Sequence, residues 1–210
     1  MRITKLEHSG LLLERGSSKL IIDPVEISSA LPDLTNLAAL IITHKHGDHL
    51  NPEIINRIRE SNPEIKIFTC GDTASDIPGS TIVTDGERVE IADFTLQFFG
   101  RNHAAILEGI TPCENIGVVV NDLFATPADS FDTPPIKPKV LAVPISAPWL
   151  KLSESLDYIK SVRPETVIPV HDALLSDFGR QICGNWLKTT SEELNIVYSP
   201  LAPSESVIVD

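Results

Sequence analysis

Short apolar runs open the chain, and small polar turns separate them. The runs lie at 2–7, 11–14 and 19–23, with Ser-Gly and Gly-Ser-Ser segments between them. This pattern predicts three short strands joined by tight turns. Residues 37–43, LAALIIT, are almost entirely apolar, which is typical of a strand that is covered on both faces.

A helix is predicted after the polar segment that follows this strand. Asn51 fits its N-cap and Pro52 fits its first turn. Residues 65–69 then predict a second buried strand, so the order is strand, helix, strand. The apolar residues that share one face of this helix are Ile54, Ile55 and Ile58.

Most of the remaining chain predicts strands, and helices enter again near its end. Two sheets packed back to back with helices outside accommodate this order, so we expect a layered α/β fold. The predicted strands are 81–84, 88–91, 94–99, 103–107, 115–120, 122–126, 140–145, 166–170, 196–198 and 207–209, and the predicted helices are 152–162 and 174–187.

Length and composition fit a single globular domain over residues 1–210. Hydrophobic residues make up 42% and charged residues 22%, which are ordinary values for a folded domain. The formal net charge is −12, from 17 Lys and Arg against 29 Asp and Glu. Binding to nucleic acids needs clustered Lys and Arg, and an acidic surface is repelled by anionic membranes, so we expect neither partner. A small-molecule substrate is expected, and assembly into a homo-oligomer is left open.

Cysteine usage and the N-terminal segment indicate a cytoplasmic protein. Cys70, Cys113 and Cys183 are isolated, which is typical of reduced thiols. The first ten residues lack the apolar run of a signal peptide. No uninterrupted apolar window of about 18 residues predicts a membrane span.

Three of the six histidines crowd into residues 44–49, HKHGDH, at the junction of a predicted strand and helix. In an extended segment His44 and His46 face the same way, while Asp48 and His49 on the following turn aim at a second point. Imidazole nitrogen and carboxylate oxygen suit Zn, Mn or Fe, and two adjacent ions can use all four groups. The segment therefore predicts a metal site. The alternative is a chance group of polar residues.

The His-x-His-x-Asp-His motif after an apolar strand resembles the signature of the metallo-β-lactamase-fold superfamily. The chain also resembles the small branch of metal-dependent hydrolases that includes the ascorbate-phosphate lactonase, through His8-Ser9-Gly10 and Asp23-Pro24. This resemblance covers residues 3 to about 209. It implies a four-layer αββα sandwich that holds two divalent metal ions, zinc before manganese or iron.

The resemblance also implies three further ligands. His103 follows a strand in the middle of the chain, and His171 ends a strand in the second half. Asp129 follows Ala128, where the family usually has Gly-Asp. The implied first site is His44, His46 and His103, the implied second site is Asp48, His49 and His171, and Asp129 is shared between them.

These later residues also have structural interpretations. His103 would be a surface residue at a strand end, Asp129 would close a turn, and His171 would be a hydrogen-bonded core residue. His8 is implied to lie near the metals, where it would hold substrate or transfer a proton. A histidine bonded to backbone at a strand end is its alternative.

Three more residues are candidates for contact with an anion. Trp149 and Lys151 follow an apolar strand, and Arg101 lies close before His103. Packing is the alternative for Trp149, and a solvated charge is the alternative for Lys151 and Arg101.

The resemblance finally implies a metal-dependent hydrolase that acts on an ester, lactone, amide or phosphodiester bond. The nucleophile would be a hydroxide shared by the two metals. Asp129 would orient it, Asp48 would complete the catalytic set, and His8 would supply a proton. A di-iron redox protein and a non-catalytic metal-binding module on the same fold are the alternatives.

Overall fold

The computed structural model describes residues 1–28, 31–32 and 34–210. Within these ranges the chain forms fourteen strands and three α-helices. The helices are α1 (Pro52–Ser61), α2 (Leu152–Val162) and α3 (Asp177–Glu193). The strands are β1 (Arg2–Lys5), β2 (Leu11–Arg15), β3 (Ser18–Ile22), β4 (Leu37–Ile42), β5 (Lys66–Thr69), β6 (Thr81–Ile82), β7 (Arg88–Ile91), β8 (Phe94–Phe99), β9 (Gly117–Val120), β10 (Phe124–Thr126), β11 (Val140–Pro144), β12 (Thr166–Val170), β13 (Val197–Tyr198) and β14 (Ser206–Ile208).

The strands form two seven-stranded sheets of similar design. The order is β14-β1-β2-β3-β4-β5-β6 in the first sheet and β13-β12-β11-β10-β9-β8-β7 in the second. In the first sheet β14 to β3 pair antiparallel and β3 to β6 pair parallel. In the second sheet β7 to β10 pair antiparallel and β10 to β13 pair parallel. Among the described residues, no helix has the length and apolar character that crossing a bilayer requires.

Alternation of side chains along the strands creates the layers. In β4, Ala39 and Ile41 face the core between the sheets, whereas Leu40 and Ile42 pack against α1. In β12, Ile168 faces the same central core, whereas Val167 packs against the helices α2 and α3. Two sheets with helices on both outer faces confirm the expected four-layer αββα sandwich.

Strand direction brings the polar segments of interest to one edge of each sheet. In the first sheet β1, β3 and β4 run in the same direction, and in the second sheet β8, β10, β11 and β12 do. The segments that contain the predicted site residues follow the carboxyl ends of these strands. Both sheets therefore contribute side chains to a common edge.

The predicted elements match most of the observed ones. Helix α1 begins at Pro52, as predicted, because the side chain of Asn51 accepts hydrogen bonds from the backbone N–H groups of Glu53 and Ile54. Helix α3 begins later than predicted, because Ser176 caps it through a bond from the N–H of Gly179.

The predicted strand at 103–107 is wrong. Beyond His103 the backbone N–H of Ala104 bonds to the carbonyl oxygen of Asp129 instead of continuing a ladder. The segment then leaves the sheet, and the side chains of Ile106 and Leu107 are 54% and 61% exposed. Apolar composition predicted a strand here, but among the described residues no strand pairs with this segment beyond His103.

Candidate metal centre

Asp23 organises the part of the centre that the first sheet supplies. Its carboxylate is buried and accepts hydrogen bonds from the Thr43 backbone N–H (2.8 Å), the Thr43 hydroxyl (2.6 Å) and Nδ1 of His49 (2.8 Å). Because the Thr43 hydroxyl donates to Asp23, its oxygen is left to accept from Nδ1 of His44, at 3.1 Å. One carboxylate thus fixes the orientation of His49 directly and of His44 through Thr43.

Backbone carbonyl groups perform the same task in the second sheet. Nδ1 of His103 donates to the carbonyl oxygen of Ala104 (2.5 Å), and Nδ1 of His171 donates to that of Ser146 (2.6 Å). In all four histidines the partner of Nδ1 assigns the proton to that nitrogen. In the neutral ring, Nε2 is therefore the nitrogen that carries the lone pair.

Asn115 fixes the turn that carries Asp129. Its side-chain oxygen accepts from the Asp129 backbone N–H (3.1 Å), and its side-chain nitrogen donates to the carbonyl oxygen of Pro127 (2.9 Å). Asn115 is fully buried, so this bracing is rigid.

The histidine and aspartate side chains meet in three overlapping groups, each with its candidate ligand atoms within 4.8 Å of one another. Asp129 lies at the junction, with Oδ1 3.3 Å from Nε2 of His49 and Oδ2 3.4 Å from Nε2 of His103 and 3.0 Å from Nε2 of His171. The structure thus brings together all seven residues predicted as ligands. The groups are His44, His46 and His103; His8, Asp48, His49 and His171; and His44, His49 and Asp129.

Several atoms at the junction are buried and make no hydrogen bond. They are Nε2 of His49, His103 and His171 and Oδ1 of Asp129. A buried polar atom without a partner costs about 1 to 3 kcal/mol, so four of them at one point indicate a missing partner. Three imidazole nitrogens and one carboxylate oxygen fit a divalent cation.

A fourth group, Cys70, Asp72 and Glu114, is different. Asp72 and Glu114 each accept a hydrogen bond from the backbone N–H of the other, and Asp72 pairs with Lys45 at 3.1 Å. These groups already satisfy one another, so this cluster does not indicate a cation site.

The comparison with known families agrees with this architecture. A family model described as a beta-lactamase superfamily domain matches residues 2–171. The chain belongs to the beta-lactamase superfamily. The resemblance stated from the His-x-His-x-Asp-His motif is therefore confirmed.

One relative and two solved structures match this chain over nearly its full length. Protein Rv0786c of Mycobacterium tuberculosis is 31% identical over 215 residues, which cover 99% of this chain and 99% of that protein. The structure of Igni18, a metallo hydrolase of Ignicoccus hospitalis, has a TM-score of 0.75 at 20% identity and covers 98% of this chain and 97% of that one. CmlA, a diiron β-hydroxylase of Streptomyces venezuelae, has a TM-score of 0.74 at 11% identity over 99% of this chain and 54% of that one. The likeness to these two structures shows the fold.

Burial and nearby carboxylates determine the charges of the histidine side chains at this centre. Burial lowers the pKa of His44 well below its ordinary value and also lowers the pKa of His46, so both rings are neutral at neutral pH. Neutral imidazole is the form that binds a cation. Burial alone would lower the pKa of His49, but the carboxylates of Asp129 and Asp23 raise it well above its ordinary value. These carboxylates thus favour a positive charge at His49, which a bound cation would provide in place of the proton.

His8 contacts the centre through the ring of His171, whose centroid lies 3.9 Å away, and through Asp48. Its Nδ1 accepts from the backbone N–H of Ala173 (3.4 Å), so the proton resides on Nε2, which donates to Oδ2 of Asp48 (3.2 Å). Burial lowers the pKa of His8, although the hydrogen bond to Asp48 opposes this. The same hydrogen bond holds the pKa of Asp48 well below its usual range. His8 is therefore a neutral donor to Asp48, and its backbone contact involves the other ring nitrogen.

Left-handed backbone conformation recurs around the centre. The φ angles are 56° at His8, 43° at Asp23, 54° at Ala128 and 58° at His171. Each such residue with a side chain costs on the order of 1 to 2 kcal/mol, and such strain is often found at functional sites. At Ala128 the angle explains why glycine before the aspartate suits this turn.

The remaining candidates from the sequence lie in different places. Trp149 is half-buried and contacts Asp129. Lys151 is exposed, and its backbone N–H bonds to Glu154 at the start of α2. Arg101 is exposed beside a cavity of about 470 Å³ and belongs to none of the histidine groups.

Sequence reasoning missed the bracing residues Asp23, Thr43 and Asn115. The Asp-Pro pair after a strand and the threonine directly before His44 were the available signals. Asp23 contacts Thr43 across 20 residues of sequence and Asn115 contacts Asp129 across 14, and local patterns do not reveal such contacts.

Proposed function

We propose that this protein is a metal-dependent hydrolase with a dinuclear centre that cleaves an ester, lactone, amide or phosphodiester bond of a small molecule. Membership of the beta-lactamase superfamily supports the reaction class. Igni18, which shares the fold, is described as a metallo hydrolase. The proposed ligands are His44, His46 and His103 for one ion and Asp48, His49 and His171 for the other, with Asp129 shared.

The observation that carries this proposal is the set of four unpaired buried atoms at the junction of the two sheets. Their outer partners are all in place, since each histidine of the set donates its Nδ1 proton to an oxygen. Outer hydrogen bonds of this kind orient metal-binding histidines and fix their tautomer. A site whose histidines are held by hydrogen bonds at Nδ1, and whose inner atoms have no hydrogen-bond partner, is suited to hold cations.

Two divalent ions at such a centre would acidify a shared water and polarise the oxygen of the substrate. The protein's own residues orient the groups of the centre and supply protons. Asp129 is held by Asn115 and lies between the two groups, so it fixes their separation. His8 donates its Nε2–H to Asp48 and so orients this carboxylate. The neutral ring would have to take up a second proton before it passed one to a leaving group.

Zinc is the ion that we propose for both sites, with manganese and iron as alternatives. Five imidazoles and two carboxylates form a donor set without thiolate, and all three metals accept such ligands. Availability and geometry then decide among them.

The net charge of −12 supports a small-molecule substrate rather than a nucleic acid. We place the protein in the cytoplasm because its three cysteines are free.

The likeness to CmlA favours one alternative, a di-iron redox centre on the same scaffold. Metal analysis separates the two functions, because zinc has no redox chemistry and would support hydrolysis alone, whereas a di-iron redox centre requires iron. A centre that binds metal but turns over no substrate would indicate the remaining alternative, a non-catalytic metal-binding module.

The deciding experiment combines metal analysis of the purified protein with a screen of lactones, esters, amides and phosphodiesters. We expect two ions per chain and metal-dependent turnover. His46→Ala should bind one ion fewer and lose turnover. Lys45→Ala is the matched control, since Lys45 belongs to the same loop but is exposed and pairs with Asp72. Equal turnover by His46→Ala, or a protein that binds none of zinc, manganese and iron, would overturn the proposal.

A further inference from the structure

The loop after β11 contacts two of the proposed ligands from outside the centre. The carbonyl oxygen of Ser146 accepts from Nδ1 of His171 at 2.6 Å. Three residues later, the indole Nε1 of Trp149 donates to Oδ2 of Asp129 at 3.1 Å. The N–H of Ile145 also bonds to the carbonyl oxygen of Val170 (3.0 Å), so the start of this loop is tied to the strand that delivers His171.

A row of aromatic rings holds the indole in place. The ring of Trp149 packs edge-on against Phe131 with centroids 5.6 Å apart, and Phe131 packs against Tyr158 at 5.3 Å. The Tyr158 hydroxyl donates to the carbonyl oxygen of Asp132 at 2.8 Å, which anchors the row to the loop after Asp129. This row of rings thus restrains the indole.

The indole also packs against histidines of both proposed sites. Its centroid lies 5.5 Å from the ring of His103 and 6.5 Å from the ring of His171. Trp149 is half-buried, so it covers this part of the centre without sealing it.

The chemistry of the indole limits what it can do to Asp129. Indole Nε1–H is a donor only and cannot coordinate a cation. By occupying a lone pair of Oδ2, it opposes rotation of the carboxylate and keeps Oδ1 in its buried, unpaired position. The bond therefore fixes the direction in which both carboxylate oxygens face the histidines.

We propose that Trp149 is a positioning residue that orients the carboxylate of Asp129 for metal binding and whose fluorescence reports occupancy of the centre. This inference rests on the proposed function, because it takes Asp129 as a shared ligand. Partners of metal ligands typically change metal affinity 10- to 100-fold when they are replaced.

The first test is Trp149→Phe, which removes the N–H donor and keeps an aromatic ring. We expect the affinity for at least one ion, measured by competition with a chelator, to fall 10- to 100-fold. The melting temperature of the metal-free protein should stay within a few degrees, which separates positioning from general destabilisation. Trp186→Phe is the matched control, because Trp186 is 57% exposed on α3. Unchanged affinity in Trp149→Phe would overturn the inference.

The second test uses fluorescence, since the chain has two tryptophans. In Trp186→Phe, Trp149 is the sole indole, and Co²⁺ should quench its emission with a saturation point that equals the number of bound ions. In Trp149→Phe, the emission of the exposed Trp186 should stay nearly constant. If metal analysis shows bound Co²⁺ and Trp149 emission does not respond, the inference fails and the proposed function stands. If no ion binds to either variant or to the unmodified protein, the proposed function itself fails.

Discussion

Replacing Asp23 by asparagine tests how the protein selects the histidine tautomers. The substitution keeps the shape of the side chain and one oxygen for the Thr43 backbone N–H. The other carboxylate oxygen, which accepts from the Thr43 hydroxyl and from Nδ1 of His49, becomes an NH₂ group. Because NH₂ donates, Nδ1 of His49 must accept and the proton moves to Nε2, where it blocks coordination.

The same change reaches His44 through Thr43, so both proposed sites should weaken. Replacing a hydrogen-bond partner of a metal ligand costs about 10- to 100-fold in affinity, or about 1.4 to 2.8 kcal/mol per ion. We expect a loss in this range for Zn²⁺, measured by titration against a chelator of known affinity. Thermal unfolding of the metal-free protein should be recorded in parallel to exclude a general folding defect.

Asp93→Asn provides the control for this prediction. Asp93 is exposed and accepts a hydrogen bond from the Ser18 hydroxyl at 2.7 Å, far from the histidines in the fold. Its replacement should leave metal affinity unchanged. Wild-type affinity of Asp23→Asn for both ions would refute the tautomer argument.

Three further predictions concern stability. Chelation should lower the melting temperature by about 8 to 16 °C for each ion removed, because an ion at 1,000 times its dissociation constant contributes about 4 kcal/mol and each kcal/mol is worth about 2 to 4 °C at this size. The absence of a shift that added zinc reverses would contradict this prediction. Ala128→Gly should raise the free energy of unfolding in urea by up to about 1 kcal/mol, because glycine relieves a left-handed strain that exceeds its own entropy cost. A lower free energy of unfolding would contradict this strain. Leu187→Ala, at a fully buried position, should lower the free energy of unfolding by about 2 to 5 kcal/mol. Ile182→Ala, on the exposed face of α3, should change it by no more than about 0.5 kcal/mol. Equal losses in the two variants would contradict the packing described for α3.

Local chemistry explains why parts of the fold were predictable. The N-cap at Asn51 and the apolar run of β4 involve neighbours in sequence, so their signals are complete within a few residues. The strand predicted at 103–107 failed because a ladder needs a partner strand, and apolar composition does not provide one.

The residues of the candidate site likewise fall into those with a local signal in the sequence and those without one. The segment 44–49 was evident because its side chains are adjacent in sequence, whereas His103, Asp129 and His171 required the resemblance to a family. Asp23 was visible only as part of a dipeptide, and the hydrogen bond from Trp149 to Asp129 joins residues from loops after two different strands. Such contacts depend on the three-dimensional arrangement of both sheets.

The division of donors between the two sheets has a consequence for how the molecule is assembled. Residues 44–49 belong to the loop after β4, while His103, Asp129 and His171 follow strands of the second sheet. A chain cut between β6 and β7 would yield two pieces, each with an incomplete set of donors. The C-terminal piece would also carry β14, which pairs with β1 of the other piece. We therefore expect high-affinity zinc uptake to measure reassociation of the pieces, which makes this scaffold suitable for a split reporter switched on by metal.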